Sequence, residues 1–282
     1  MAFTINLNRG GMRSNMTLID HLEDLRGLII RSVLAVLLMG IIFFIYRNWI
    51  FDNVITGPIH GDFITYRVFC KLSHWLNAGN ALCLPPVQIS MQSTTFSGQF
   101  ISSITMAFAG GILAAFPYIF WEFWRFIKPA LKEKELRGTR FVVFWVSFFF
   151  FCGACFGFFL LGPFTFNFLA GFQLGNLGLL VTRPTLSDYL ENLTNLILGC
   201  GIAFELPVLA YVLTRIGLIT PTLLRKSRRY AIIVILIVAA VITPSPDWMS
   251  QMIVFVPLWI LYELGITIST RVHKDMQASE AS

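Results

Sequence analysis

Six apolar runs alternate with polar segments along this chain. They cover approximately residues 28–46, 98–121, 141–161, 189–214, 230–243 and 248–262. A helix needs about 20 residues to cross a hydrocarbon core of about 30 Å, and the first four runs have about that length. The last two runs are shorter and adjacent. The pattern therefore predicts an all-α integral membrane protein with six transmembrane helices, the last two of them short.

The polar segments between the runs contain the residues that end and begin helices. Residues 47–96 form a long polar segment that is predicted to hold short helical or extended pieces. Gly162-Pro163 is predicted to break or kink the third helix, and Ser187-Asp188 to begin the fourth. A tight turn at residues 244–247 joins the last two helices. Because no segment is left for a separate soluble domain, residues 1–282 are predicted to form a single polytopic membrane domain.

Composition and charge agree with this assignment and add the orientation. Charged residues make up 13% of the chain, against about 25% in soluble domains, and the mean hydropathy is +0.72. With six helices both termini lie on one side, which holds seventeen of the 21 Lys and Arg residues. Since basic residues accumulate on the cytoplasmic side, both termini are predicted to be cytoplasmic. The net charge of +6 then reflects cytoplasmic loops, and no nucleic-acid partner is predicted.

The five cysteines fall into two groups. Cys70 and Cys83 lie in the polar segment on the outer side, thirteen residues apart, and are a candidate disulfide if that side is an oxidising bacterial periplasm. Cys152, Cys155 and Cys200 lie in apolar runs. Cys152 and Cys155 have the spacing of a redox pair but lie within the third run. The segment Cys152-Gly153-Ala154-Cys155 is better explained as small residues that allow close helix packing.

Glu205 lies deep in the fourth apolar run, where a charged side chain costs about 2.5–3.5 kcal/mol. Such a residue faces the protein interior or a wet cavity, and is either neutral and hydrogen-bonded or in need of a cationic partner. Pro207 removes a backbone donor just beyond it and weakens the helix. Three roles stay open from these residues alone: a structural neutral glutamate, a polar site for a partner, or the proton site of a proton-coupled transporter.

Four motifs occur in order along the chain. They are listed here from the N-terminus: His-Leu-x-x-Leu-Arg at 21–26, Trp-x-Phe-Ile-x-Pro-Ala-Leu-x-x-x-Glu at 124–135, Phe-Glu-Leu-Pro at 204–207, and Thr-Pro-x-Pro-Asp at 243–247 followed by Ser250-Gln251. Together with six predicted helices they resemble the TatC family, the multispanning receptor of the twin-arginine protein translocase. The resemblance covers about residues 17–269.

The resemblance implies a function in protein export. A member of this family recognises twin-arginine signal peptides and assembles with small single-span partners of the TatA and TatB type. It passes folded proteins across the bacterial cytoplasmic membrane, driven by the proton-motive force. The resemblance implies no enzyme activity, no cofactor and no metal, and it implies a homo-oligomer within a larger complex.

The resemblance also implies particular site residues. Asp24 corresponds to an acidic position where the family usually has glutamate, Glu135 to the acid in the first cytoplasmic loop, and Phe126 to an aromatic residue in that loop. These acids suit the chemistry, because paired guanidinium groups require carboxylates. Glu23 and Arg26, an i,i+3 pair on the helix of Asp24, join them as candidate signal-peptide residues.

Four further positions complete the set that the resemblance implies. Glu205 corresponds to the intramembrane glutamate of the family. Asp247 and Gln251 correspond to polar positions near the outer end of the last hairpin, and Pro58 to a proline in the first outer loop; these three are the expected contacts for partner helices.

Two other function classes compete with the receptor. The first is a proton-coupled secondary transporter that uses Glu205, although transporters usually show internal repeats, which this chain lacks. The second is an intramembrane enzyme. Against it, all four histidines fall outside the predicted helices, and no Ser-His or paired-Asp arrangement appears within them.

Overall fold

The computed structural model describes residues 18–59, 63–75, 90–128, 141–172, 183–243 and 248–281, and these are almost entirely helical. The described helices, in chain order, are α1 Leu18–Ile45, α2 Arg47–Ile50, α3 Ile64–Trp75, α4 Gly98–Ile127, α5 Val142–Phe156, α6 Gly162–Gly171, α7 Leu186–Ala203, α8 Leu206–Arg215, α9 Pro221–Lys226, α10 Arg228–Ile242 and α11 Trp248–Ala281. We call the end of the bundle at which α1 begins the proximal end, and the opposite end the distal end.

Five stretches within the described residues are long and apolar enough to cross a membrane. They are Leu22–Ile45, Gly98–Ile127, Val142–Gly171, Leu186–Arg215 and Ser250–Gln277. The fifth predicted helix corresponds to α10, which has 15 residues and is therefore about 22 Å long. Since that is shorter than a hydrocarbon core of about 30 Å, α10 agrees with the prediction of a short helix.

The third predicted helix does not end at Gly162-Pro163. The chain continues from α5 through a π-helical turn, Gly157–Leu161, directly into α6. Pro163 occupies a position in the first turn of α6. A wide turn just before a proline accommodates its ring and missing N–H without ending the helix. The predicted break or kink at Gly162-Pro163 thus takes the form of a π-helical turn, and the helical segment continues beyond residue 161 to Gly171.

The fourth and last predicted helices also differ from expectation. Thr185, rather than Ser187 or Asp188, caps α7: its hydroxyl accepts a hydrogen bond from the Asp188 N–H at 3.1 Å. A turn at Phe204 and Glu205 divides the fourth segment into α7 and α8. The last helix was predicted to be short, at residues 248–262, but α11 runs without interruption from Trp248 to Ala281, so that prediction was wrong.

Where the structure describes it up to residue 75, the distal connection consists of short helical pieces, as predicted. After α1 come α2, a π-helical turn Phe51–Ile55, a 3₁₀ turn Gly57–Ile59 and then α3. Two tyrosines fix this connection. The hydroxyl of Tyr66 donates to the Pro58 carbonyl at 2.9 Å within the connection, and that of Tyr189 in α7 donates to the Ile55 carbonyl at 2.5 Å and so attaches the connection to the bundle. Burial raises the pKa of the Tyr66 phenol above its ordinary value.

The cysteines follow the two predicted groups. Cys70, in α3, is disulfide-bonded, whereas Cys83 lies outside the described residues, so the pairing with Cys83 stays a prediction that non-reducing peptide mapping can decide. Cys152 and Cys155 are free thiols on the exposed surface of α5. Between them, Gly153 and Ala154 are buried. The segment therefore packs through its two inner residues.

Helix pairs approach closely where glycine exposes the backbone. A Cβ atom at Gly111 in α4 would lie 2.9 Å from the backbone N of Gly40 in α1. A Cβ atom at Gly153 would lie 2.4 Å from the Cys200 carbonyl oxygen in α7, and one at Gly157 would lie 2.5 Å from the Leu196 carbonyl oxygen. These backbone contacts hold α1 to α4 and α5 to α7 at distances that no larger residue permits.

We expect Gly153→Ala to destabilise the protein by about 1–3 kcal/mol, since the added methyl group must displace a backbone carbonyl in a packed interface. The measurement is thermal unfolding of the detergent-solubilised protein. Gly171→Ala is the matched control, because nothing lies within 4 Å of a Cβ atom at Gly171. Equal unfolding temperatures for the two variants would show that the α5–α7 contact is not as tight as described.

Candidate functional site

Helices α1 and α4 run antiparallel, and their proximal ends carry part of the candidate site. The rings of Phe44 and Phe100 meet edge to face near the distal end, with centroids 6.5 Å apart. At the proximal end, Arg31 Nε lies 3.0 Å from Glu122 Oε2. The glycine contact between Gly40 and Gly111 lies between these two points. The relative position of the two helices is therefore determined along their whole shared length.

Glu122 is the residue that sequence reasoning missed. The second helix was predicted to end at residue 121, but α4 continues to Ile127 and buries Glu122, whose side chain is only 2% exposed. Arg31 donates to one of its oxygens, and the Tyr118 hydroxyl donates to the other at 3.2 Å. A signal was present, because a lone arginine in the first apolar run needs an acid at the same depth.

Asp24 and Phe126 lie on the side of the α1–α4 pair that Arg31 and Glu122 define. Asp24 precedes Arg31 by seven residues, which is two helical turns, so both lie on one face of α1. Phe126 follows Glu122 by four residues on α4. Because the helices are antiparallel, Asp24 and Phe126 extend from the ion pair in the same direction, toward the proximal end.

The structure describes the proximal candidate residues with the exception of Glu135. Asp24, Glu23 and Arg26 are all exposed, and Phe126 is half-buried. Within the described part of the chain, the ion pairs join Arg31 to Glu122 and Arg228 to Glu263, so Glu23 and Arg26 do not form the i,i+3 pair that their spacing suggested. Glu135 lies outside the described residues.

The Arg31–Glu122 pair gives a prediction about stability. We expect Arg31→Ala to lower the unfolding temperature of the purified protein clearly, because it leaves the buried Glu122 carboxylate without its charged partner. The double variant Arg31→Gln with Glu122→Gln should recover most of the loss, since two amides can still form a hydrogen bond. A double variant as unstable as Arg31→Ala would contradict the assignment of the pair.

Glu205 lies at the turn between α7 and α8 and faces the interior of the bundle. Its side chain is buried, with 8% of the residue exposed, so it does not lie in an open wet hollow. Neither carboxyl oxygen has a hydrogen-bond partner among the described residues. A buried carboxyl without a partner is energetically unfavourable and is a polar group available to a ligand or partner.

The turn at Glu205 has a local cause. Pro207 occupies the first turn of α8, and its missing N–H leaves the carbonyl group one turn earlier without its helical partner. The Glu205 N–H instead bonds to the Ile202 carbonyl at 3.1 Å, which is a tighter i−3 contact. The proline therefore fixes the place where the carboxyl group enters the bundle.

The distal candidates do not form one cluster within the described residues. The Gln251 side-chain amide donates to the Leu236 carbonyl of α10 at 3.1 Å. Pro58 is buried beneath Tyr66, whose hydroxyl bonds to its carbonyl. Asp247 lies outside the described residues. Gln251 thus connects α11 to the short helix α10, and Pro58 belongs to the distal connection.

Comparison with known proteins identifies the family. The family model described as "Sec-independent protein translocase protein (TatC)" matches residues 20–257, which is most of the chain. This chain belongs to the TatC family. Similar TatC proteins include that of Blattabacterium sp. subsp. Periplaneta americana, 38% identical with 93% of this chain and 98% of the relative covered. Another is that of Deinococcus radiodurans, 34% identical with 89% and 85% covered.

Solved structures show the same family relationship. A crystal structure of the twin-arginine translocase receptor TatC matches with a TM-score of 0.65 and 28% identity, and covers 89% of this chain and 99% of that chain. A second one, obtained in DDM, gives a TM-score of 0.69 and 29% identity, and covers 88% and 99%. The TatC resemblance read from four motifs is therefore confirmed, and the chain is a membrane protein of a protein translocase family.

Proposed function

We propose that this chain is the core receptor of a twin-arginine translocation system, which binds twin-arginine signal peptides and exports folded proteins. The arrangement at the proximal end carries the proposal. Arg31 pairs with the buried Glu122 and therefore does not neutralise Asp24. Asp24 is exposed, so its carboxylate can receive a guanidinium group from a peptide. Phe126 provides a half-buried aromatic surface on the same side of the helix pair.

In this proposal, Asp24 and Glu135 bind the two guanidinium groups, and Phe126 packs against the peptide. Carboxylates pair with guanidinium groups through two parallel hydrogen bonds, which ammonium groups cannot make. Glu23 and Arg26, exposed beside Asp24, contact the flanking part of the peptide. Membership of the TatC family supports these roles, because the resemblance to that family implies recognition of twin-arginine signal peptides.

The proposed topology has six helices, with α10 as the fifth, in a single membrane domain of the bacterial inner membrane. Both termini are then cytoplasmic, and the proximal end faces the cytoplasm. The distribution of Lys and Arg supports this orientation, since Arg47, Arg67, Lys71 and Arg183 are the only four on the other side. α10 is too short for a hydrocarbon core of about 30 Å, so the bilayer beside it should thin.

Partners of the TatA and TatB type complete the proposed machine. Glu205, with both oxygens unpaired, would receive a polar group from a partner helix inside the membrane. Asp247 and Gln251 would contact partner helices at the distal end, and Pro58, which is buried, would shape the distal connection that receives them. The receptor would act as a homo-oligomer within a larger complex, with the proton-motive force as its energy source.

The test compares two signal peptides that have the same charge. The purified protein should bind a twin-arginine peptide at least about tenfold more tightly than its twin-lysine counterpart, because a lysine loses the bidentate contact. A proton-coupled transporter or an intramembrane enzyme has no reason to distinguish the two peptides. Equal affinities in a fluorescence binding assay would therefore refute the proposed function.

A further inference from the structure

A basic pocket lies where α9, α10 and α11 meet, away from all the candidate residues discussed above. Its volume is about 460 Å³, and its walls include Arg225, Arg228, Arg271 and two threonines of α11, Thr267 and Thr270. Glu263 is the acid in this wall. The lining therefore carries three positive charges against one negative charge.

The hydrogen bonds around the pocket leave its positive charge unbalanced. Arg228 pairs with Glu263 at 2.7 Å, and Arg225 donates to the Thr270 hydroxyl at 3.3 Å. Arg271 is exposed and has no hydrogen bond or ion pair with any other residue that the structure describes. One arginine is thus neutralised by Glu263, one is held by a neutral hydroxyl, and one has both edges of its guanidinium group available.

The position of the pocket along α11 places it at the boundary of an apolar surface. Ile260, Leu264, Thr267 and Arg271 are spaced so that they share one face of the helix. Ile260 and Leu264 are 54% and 46% exposed. Along this face the surface changes from apolar to hydroxyl to cationic within about three helical turns.

We propose that this pocket binds the phosphate group of an anionic phospholipid, with one acyl chain lying along Ile260 and Leu264. Guanidinium groups match the geometry of phosphate oxygens, and basic pockets between membrane helices are suited to anionic headgroups. A soluble anion would use the three arginines but not the apolar surface next to them. The inference requires only that the chain lies in a membrane, and it goes beyond the proposed receptor function.

The experiment is native mass spectrometry of the detergent-solubilised protein with dioleoylphosphatidylglycerol, and with dioleoylphosphatidylcholine for comparison. Phosphatidylglycerol should bind more tightly than phosphatidylcholine. Arg271→Gln should weaken phosphatidylglycerol binding about fivefold, which is the effect of one basic residue at a charged membrane surface. Because Arg271 has no described partner in the protein, this change should not disturb folding, and the unfolding temperature checks that.

Two further variants separate the pocket from general surface charge. Arg229→Gln removes the same charge from a neighbouring exposed arginine that does not line the pocket, and it should leave the affinity unchanged. Glu263→Gln frees Arg228 and should strengthen phosphatidylglycerol binding. Equal weakening by Arg229→Gln and Arg271→Gln would overturn the proposal, and so would a weaker complex with Glu263→Gln.

A third arm distinguishes the lipid from a soluble anion. Glycerophosphoglycerol has the same headgroup without acyl chains, so it should compete poorly with phosphatidylglycerol. If it binds as tightly as the lipid, the pocket is a soluble-phosphate site and the lipid proposal is wrong. If phosphatidylglycerol and phosphatidylcholine bind equally, the arginines do not read the headgroup charge, and the proposal fails as well.

Discussion

The double variant Asp24→Ala with Glu135→Ala is expected to abolish export of a twin-arginine reporter and to weaken peptide binding at least about a hundredfold. Each hydrogen bond to a charged group contributes about 1.5–3 kcal/mol, and the two carboxylates would make several. Asp24 is exposed, so its removal should not affect the packing of α1. The measurements are reporter export in cells and crosslinking of a labelled signal peptide to the receptor.

Two controls make this result specific. Asp24→Glu should be tolerated, because it restores the residue that the family usually has and keeps the carboxylate on the same face of α1. Asp275→Ala removes an exposed acid from α11, far along the chain from the proposed site, and should have no effect on peptide binding. Normal export by the double alanine variant would eliminate these two acids as the arginine-binding site.

The second large effect is expected at Glu205. Glu205→Leu should abolish export and reduce crosslinking to the small single-span partners, because the only polar group at this turn is replaced by an apolar one. Glu205→Gln should keep much of the function, since the amide has nearly the same volume and can still form hydrogen bonds with a partner. Twin-arginine peptide binding at the proximal end should survive in both variants.

The comparison of these two variants also tests the competing function. A proton-coupled transporter requires a group that gains and loses a proton, and an amide cannot do so. Complete loss of export with Glu205→Gln, equal to the loss with Glu205→Leu, would therefore favour proton chemistry at this position. Retained export with Gln and lost export with Leu would support a polar contact that helps to assemble the complex.

The sequence was informative wherever the signal is local along the chain. Long apolar runs predicted the membrane helices, since crossing a hydrocarbon core requires a minimum helix length. Glu205 and Pro207 were found from sequence because a carboxyl group and a proline are conspicuous in an apolar run. The four motifs identified the family, although a single one of them would have been weak.

The sequence was uninformative where the signal depends on tertiary contact. Arg31 and Glu122 are 91 residues apart, and their pairing appears only when α1 and α4 are seen side by side. The same holds for Glu263, which ends the last apolar run but whose partner is Arg228 in a different helix. The sequence indicated a break or kink at Gly162-Pro163 but not the π-helical turn that leads from α5 into α6, because such a turn has no simple sequence pattern.

That π-helical turn, Gly157–Leu161, has a consequence for how the family is aligned. A π-helical turn holds one residue more than the α-helical turn it replaces, so it is equivalent to a one-residue insertion in a regular helix. A relative that lacks one residue here would keep the faces of both α5 and α6 in register with this chain. Alignments should therefore place a single-residue gap within this segment instead of shifting every position up to Gly171.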